Sequence, residues 1–369
     1  MKKVVITINT TWNIFNFRYG LIKALLKEGY IVYAISPNDE YVKEITEMGV
    51  KHYHIQMDQK GTNPIKDLII IKTYRKLFKK IKPDIILSYT IKPNIYGTLA
   101  AGSLKIPVIN NISGLGTLFI KTTIFSFIGK LLYKIALRKS KHTFFQNNDD
   151  ANLFLQTNLI SKNKISVIPG SGVDTKIFQT KRIENKGKIF LFVGRLIGDK
   201  GIREYLDAAK NIISENKNVK FWIVGELGYN NKTAVKKEEL EAYTNNNPQI
   251  EYLGKIEDIV SILEKVDVMV LPSYREGLSK SLIEASAMSL PIITTNVPGC
   301  RDVVTEEVNG LLCNVKSKES LKKRINDMIR FSEKKRLVMG KNSRKVAVKY
   351  FAEEIVIKAY LNKIFEILF

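Results

Sequence analysis

The chain has 369 residues, 45% apolar and 26% charged, enough for two buried cores, which excludes a disordered tail or a fibre. Fifty-nine lysines and arginines stand against 36 acids, a formal charge of +23 that calls for an anionic partner: nucleic acid, a phosphorylated substrate or an acidic membrane surface. Two cysteines, Cys300 and Cys313, exclude a disulfide framework and a zinc spacing and read as buried thiols in a reducing compartment; no run of 18 apolar residues exists to span a bilayer.

The opening MKKVVITINTTWNIF reads as a first strand, since its apolar run is short and no small-residue cleavage site follows. Strands are predicted at residues 3–8, 31–35, 84–88, 107–111 and 143–146, with helical patterns at 17–27, 41–48, 64–80, 94–104 and 120–138. The alternation restarts with strands at 188–193, 219–224, 250–253, 266–271 and 291–294. Strands this apolar belong in parallel sheets covered on both faces, so the fold class is α/β with two Rossmann-like domains. The join falls in 169–186, where both patterns fail. Residues 1–170 and 171–350 then form the two domains, and 351–369 a C-terminal helix returning to the first.

After the first strand stands Asn9-Thr10-Thr11-Trp12-Asn13, not the dinucleotide fingerprint, and no Walker-type loop occurs. Another phosphate ligand is needed. The strongest local signal is REGLSKSLIEA, beginning at Arg275 after the buried strand VDVMVLP. Glu276 and Gly277 precede a helix starting near Ser279, which aims N–H groups and a positive dipole end at the carboxyl edge of a parallel sheet, as a diphosphate requires. Glu284 lies about two turns along that helix, placed with Glu276 to grip hydroxyls at two ends of a nucleotide-sugar. A helix-terminal acid and a solvated glutamate would show the same pattern. Gly194-Arg195-Leu196 follows strand KIFLFV, and Lys200-Gly201 opens the next helix; these cations suit the same diphosphate, or else are solvated surface charges.

VGRLIGDKG, VLPSYREGLSKSLIEASAMSLPIITTNVPGCRDVV and NGLLC together resemble the donor-binding domain of family-four retaining glycosyltransferases of the GT-B fold, whose two domains face each other across a cleft. The resemblance matches Glu276 and Glu284 to the family's paired glutamates and Arg195 and Lys200 to its diphosphate clamp. It implies catalytic roles for Glu276, Arg195 and Lys200. Gly194, Glu226, Gly277, Leu278, Ser279 and Lys280 join Arg195, Lys200 and Glu284 around the donor. FRYGLIKALLKEGYIVYAISPNDEY, IKPNIYG, ISGLGTLF and VIPGSGVDTKIF resemble a bacterial subgroup of N-acetylhexosaminyltransferases that extend polyprenyl-diphosphate-linked sugars in glycan, capsule or O-antigen assembly. The resemblance implies a UDP-sugar donor and front-face attack in which the leaving phosphate takes the acceptor proton. Neither cofactor nor metal is expected, and no Asp-x-Asp stands at a strand end to hold Mg²⁺. A glycosidase reading of the two carboxylates leaves the cations without a purpose. The chain departs from its relatives at Thr10–Asn13, in place of a glycine-rich loop, and at Ile112-Ser113-Gly114-Leu115-Gly116, where many have a histidine. It departs again at Ser289, where glycine is usual.

The basic surplus concentrates in the first domain. Residues 64–82 carry seven cations (Lys66, Lys72, Arg75, Lys76, Lys79, Lys80, Lys82) against Asp67, and FIKTTIFSFIGKLLYKIALRKSK carries no acid. Helix 120–139, with Lys121, Phe127, Lys130, Lys134 and Arg138, is expected to rest by its cationic stripe on an anionic membrane, unless it is core-packed with a solvated basic edge. Trp12, Asn13, Arg18 and Lys92 are expected at the acceptor, with Gly114 and Gly116. The location expected is the cytoplasmic face of the inner membrane. His52 and His54 share one side of a strand without a third metal ligand and are incidental. No nucleic-acid motif is present, so nucleic acid is set aside as a partner. A nucleotide-sugar epimerase and a non-catalytic basic binding protein are the rival readings.

Overall fold

The computed structural model describes residues 1–58, 63–115, 124–180, 184, 186–229 and 231–369, with backbone alone for Ile124 and Phe125. The chain divides into two units: Met1–Ser171 with Glu353–Phe369, and Gly172–Ala352.

The first unit holds seven parallel strands: β1 (Lys3–Thr7), β2 (Ile31–Ser36), β3 (Lys51–His54), β4 (Ile85–Tyr89), β5 (Val108–Ile112), β6 (His142–Phe145) and β7 (Ile165–Val167). Their spatial order is 3-2-1-4-5-6-7. Alternation splits β1 between the two faces: Val4 and Ile6 pack with Ile14, Leu21 and Tyr360, while Val5 packs with Tyr74, Phe78 and Ala100. Helix α1 (Thr11–Lys27) covers the first face together with a C-terminal helix described below. On the other face lie α3 (Pro64–Ile81), a π-helical turn at Pro93–Gly97, α4 (Thr98–Gly102) and α5 (Ile124–Lys139); α2 (Val42–Glu47) and α6 (Asn148–Gln156) complete the unit.

Three differences from the sequence reading have physical causes. Helix α1 starts at Thr11, six residues before the predicted position, because Thr10 is an extended N-cap whose hydroxyl accepts from Asn13 N–H. Asp39 accepts from the N–H groups of Thr11 and Trp12, so the donors at the start of α1 are satisfied without glycine. Strands β3, KHYH, and β7, ISV, close the two sheet edges and are half-exposed, so they lack the apolar run by which a central strand is found.

The second unit repeats the plan with β8 (Ile189–Val193), β9 (Lys220–Val224), β10 (Ile250–Gly254), β11 (Val268–Leu271), β12 (Ile292–Thr295) and β13 (Gly310–Cys313), ordered 10-9-8-11-12-13 and all parallel. Its helices are α7 (Ile202–Glu215), α8 (Lys237–Thr244), α9 (Ile259–Leu263), α10 (Lys280–Ala287), α11 (Lys318–Arg330) and α12 (Glu333–Val346). Strand β13 is four residues opening on glycine, too short to predict. Past α12 a π-helical turn, Ala347–Phe351, leads to α13 (Glu353–Leu368), which belongs to the first unit and buries Val356, Tyr360 and Ile364 there. Strand order reverses between β1 and β4 in one unit and between β8 and β11 in the other; ligands of such sheets bind outside the carboxyl ends at that switch point.

Candidate active site

In the second unit the loops leaving β8 and β11 are tied to each other. The Asp199 carbonyl accepts from Tyr274 N–H at 2.9 Å and lies 3.1 Å from the Ser273 hydroxyl oxygen. Gly201, at φ +73°, makes this closeness possible: a Cβ there would stand 2.0 Å from the Pro272 carbonyl oxygen. The chain turns at Gly201 directly into α7, and Lys200 is thereby set against Glu276. Its ammonium donates to Glu276 Oε1 at 2.5 Å, and the buried Ser273 hydroxyl donates to the same oxygen at 2.7 Å. Both partners are largely buried, at 17% and 13% side-chain exposure, so water screens the pair weakly.

The Glu276 loop is fixed from its other side by the loop after β12. Glu276 N–H donates to the Pro298 carbonyl and Ser279 N–H to the Gly299 carbonyl. Gly299, at φ +76°, leaves room for the Glu276 carbonyl, which a Cβ would approach to 2.4 Å. Within the expected N–H cradle around Gly277–Lys280, the Ser279 N–H is engaged with the Gly299 carbonyl. The first turn of α10 adds the N–H groups of Lys280, Ser281 and Leu282, which lie outside the intrahelical ladder. Gly277 is buried, and Leu278 packs on the core of the unit.

Lys280 donates to the Gly172 carbonyl at 2.9 Å and lies 3.9 Å from Glu284, one turn along α10. Burial pushes the Glu284 carboxyl up to about 7, with the Lys280 ammonium opposing. Arg195 is exposed at the mouth of the β8 loop, one residue past Gly194, whose N–H donates to the Val224 carbonyl. Arg195 and Glu226 both face Tyr229; burial first, then the neighbouring Glu226 carboxylate, raise its phenol. Ser273 and Tyr229 had no sequence signal of their own: a serine after a strand-end proline does not reveal where its hydroxyl points. Cys300, fully buried beside Glu276, has its thiol pushed up to about 12, chiefly by burial.

Residues 173–346 match the family described as glycosyl transferases group 1, and residues 3–147 match glycosyl transferase 4-like. The chain is 30% identical, over 95% of each sequence, to the N,N'-diacetylbacillosaminyl-diphospho-undecaprenol alpha-1,3-N-acetylgalactosaminyltransferase of Campylobacter jejuni. The chain belongs to the group 1 glycosyltransferases of GT-B fold. The glycosyltransferase is also 30% identical, over 78% of its own length and 76% of the other, to the UDP-Gal:alpha-D-GlcNAc-diphosphoundecaprenol alpha-1,3-galactosyltransferase of Escherichia coli. A crystal structure of a glycosyltransferase from Rickettsia africae superposes with a TM-score of 0.80 at 18% identity, covering 100% of this chain and 98% of that one.

In the first unit of the glycosyltransferase the residues expected at the acceptor divide. Trp12, 41% exposed, stands edge-on to Phe17 in the first turn of α1, and Asn13 keeps a buried side-chain oxygen without a partner. Arg18 is turned inward: 6% exposed, it lies 4.3 Å over the Tyr89 ring and donates to the Phe17 carbonyl. It is a core cation next to α13 rather than a surface contact, because its position on α1 falls on the buried stripe of Ile14, Leu21 and Leu25. Lys92 is paired with the buried Asp67 at 2.8 Å, whose second oxygen accepts from Tyr96. Thr90, between β4 and that lysine, holds φ +65°, a strained backbone for a β-branched residue at the switch point. Gly114 has φ +136°; Gly116 and Lys121 lie outside the described residues. His52 bonds to Ser36 and His54 accepts from Asn38 N–H, so both serve the edge strand. Among the described residues no three His, Cys, Asp or Glu side chains cluster to hold a metal ion.

Proposed function

We propose that the enzyme transfers an N-acetylhexosamine such as GalNAc from a UDP-sugar to a polyprenyl-diphosphate-linked saccharide, with retention and without a metal. The reaction takes place at the cytoplasmic face of the inner membrane, in bacterial glycan, capsule or O-antigen assembly. The observation that carries this is the Lys200–Glu276–Ser273 constellation at the β8/β11 switch point, where a nucleotide's diphosphate fits best. The acceptor class is supported by the names of the two relatives, both acting on undecaprenyl-diphosphate-linked sugars.

Breaking the bond between sugar C1 and the UDP oxygen leaves positive charge on the ring and negative charge on the diphosphate. Lys200, Arg195 and the Ser281 and Leu282 N–H groups stabilise the anion. Glu276 accepts hydrogen bonds from sugar hydroxyls while holding the Lys200 ammonium in place, and Glu284 binds the ribose. The acceptor hydroxyl forms its bond to C1 on the face that UDP leaves, and its proton ends on the departing phosphate oxygen.

A panel of UDP-sugars incubated with and without a polyprenyl-diphosphate-linked saccharide tests the reading. UDP should be released with one N-acetylhexosamine donor, only when acceptor is present, and equally in EDTA. Epimerised donor without acceptor would replace the reading with an epimerase. Activity lost in chelator and restored by Mg²⁺ would overturn the metal-free step.

A further inference from the structure

Helix α5 does not present the cationic stripe that the sequence suggests. Its exposed apolar side chains are Phe127 (70%), Ile128 (47%), Leu131 (48%) and Ile135 (40%), at helical spacing, while Lys130 and Lys134 are half-buried along its edge and the exposed cations, Arg138 and Lys139, stand at its end. Helix α3 repeats the arrangement near its start, where Ile65, Leu68 and Ile69 are each more than half exposed. Both helices pack against α4 and the Pro93–Gly97 turn, so they lie on a single face of the first unit. Each follows a parallel strand and therefore begins at the carboxyl edge of the sheet. The apolar side chains near their starts border the edge that carries the switch point of that unit.

We infer that α3 and α5 together form a wedge that inserts into the interface of an anionic bilayer, holding that edge against the lipid. The inference rests on the proposed lipid-linked acceptor and names the surface that meets its membrane. Charge selects the occupant. Helix α3 carries six lysines and arginines and α5 four, while the one acid on either helix, Asp67, is buried and bonded to Lys92 and Tyr96. Lys66 already pairs with Asp58, but a second copy of this chain would set the same cationic helices against these; anionic headgroups neutralise them as the apolar side chains enter the acyl boundary. No helix among the described residues is long and apolar enough to cross a membrane, so the contact is interfacial.

The test is co-sedimentation of the full chain with phosphatidylcholine vesicles, with and without phosphatidylglycerol. Two double variants, Leu131→Gln/Ile135→Gln on α5 and Ile65→Gln/Ile69→Gln on α3, change exposed side chains and should melt like wild type. Wild type should bind the anionic vesicles, and each variant should bind about tenfold or more weakly. A share of wild type should stay bound at about 1 M salt, where the Debye length is about 3 Å. Variants that sediment like wild type overturn the wedge, and so does complete release by salt, which leaves only a surface charge effect. A concentration-dependent dimer abolished by the same substitutions also overturns it, giving the face to a second copy. Transfer to a short-chain, water-soluble acceptor should be unchanged in both variants. If wild type is inert toward every acceptor while the variants still lose vesicles, the wedge stands and only the catalytic reading falls.

Discussion

Replacing Glu284 by glutamine separates the effect of its burial from the ribose contact proposed for it. Its carboxyl is lifted from the ordinary 4.5 to about 7 by burial, with 14% of the side chain exposed. A carboxyl held up in the fold makes stability fall as pH rises. Between 4.5 and 7 the unfolded chain has released the proton while the folded one keeps it, and above 7 the loss is complete. The cost at high pH is about 3 kcal/mol, with the Lys280 attraction already counted in the shifted value. Glu284→Gln should therefore melt with wild type near pH 4.5 and above it near pH 8, by roughly 5–10 °C if the second unit unfolds as its own transition. Calorimetry across that range reads the difference directly. Added UDP should close the gap, since ribose hydroxyls bonded to the carboxylate favour its charged form. Melting curves with the same pH dependence in both proteins would refute the buried-carboxyl argument. A gap that UDP leaves untouched would remove the ribose from it.

Lys200→Ala should lower the transfer rate by about 10²-fold or more, the scale of losing one donor to a developing anion, and wild-type kinetics would remove the clamp. Glu276→Gln should keep UDP affinity nearly intact by calorimetry yet abolish transfer, because the contact proposed for Glu276 is with the sugar ring and not with UDP. Ser289, at φ +58° just past α10, is a strained non-glycine; Ser289→Gly should stabilise the second unit by about 1 kcal/mol, read as a raised melting temperature. His142 is buried against Phe144 and Ser166, and burial chiefly, with Lys363 nearby, lowers it to about 4. The unfolded chain takes that proton first, so stability falls as pH drops from 6.5 toward 4, and His142→Gln should flatten the acid limb in urea titrations.

The central strands were legible because each is nearly all apolar, as Val4–Ile6 and Val268–Leu271 show, and such runs have few other homes. That Lys200 and Glu276 come together was legible because their motifs sit where neighbouring strands end. What stayed hidden depends on contacts distant in sequence. The hydroxyl of Ser273 reaches Glu276 where the loop is held by the Asp199 tie, and the N–H groups of Glu276 and Ser279 are taken by a loop twenty or more residues on. Arg18 looked available because cations usually are, yet its place on α1 is decided by Tyr89 and by a helix more than three hundred residues later. On α5 the lysine spacing was visible; which stripe faces solvent was not, since that is set by Tyr133, Ala136 and Leu137 entering the core.

Helix α13 completes the first unit from the far end of the chain, its Tyr360 ring packed on Phe144 and its hydroxyl accepting from Asn111. The ribosome delivers those residues only after the whole segment Gly172–Ala352. At about 5–20 residues per second, the wait for roughly 180 residues is on the order of 10–40 s. During that interval Phe144 and Tyr89 lack their cover, whereas the second unit is contiguous and can fold as soon as it emerges. The domain made first is therefore finished last, and it is the one exposed to chaperones and proteases while the cell builds the chain.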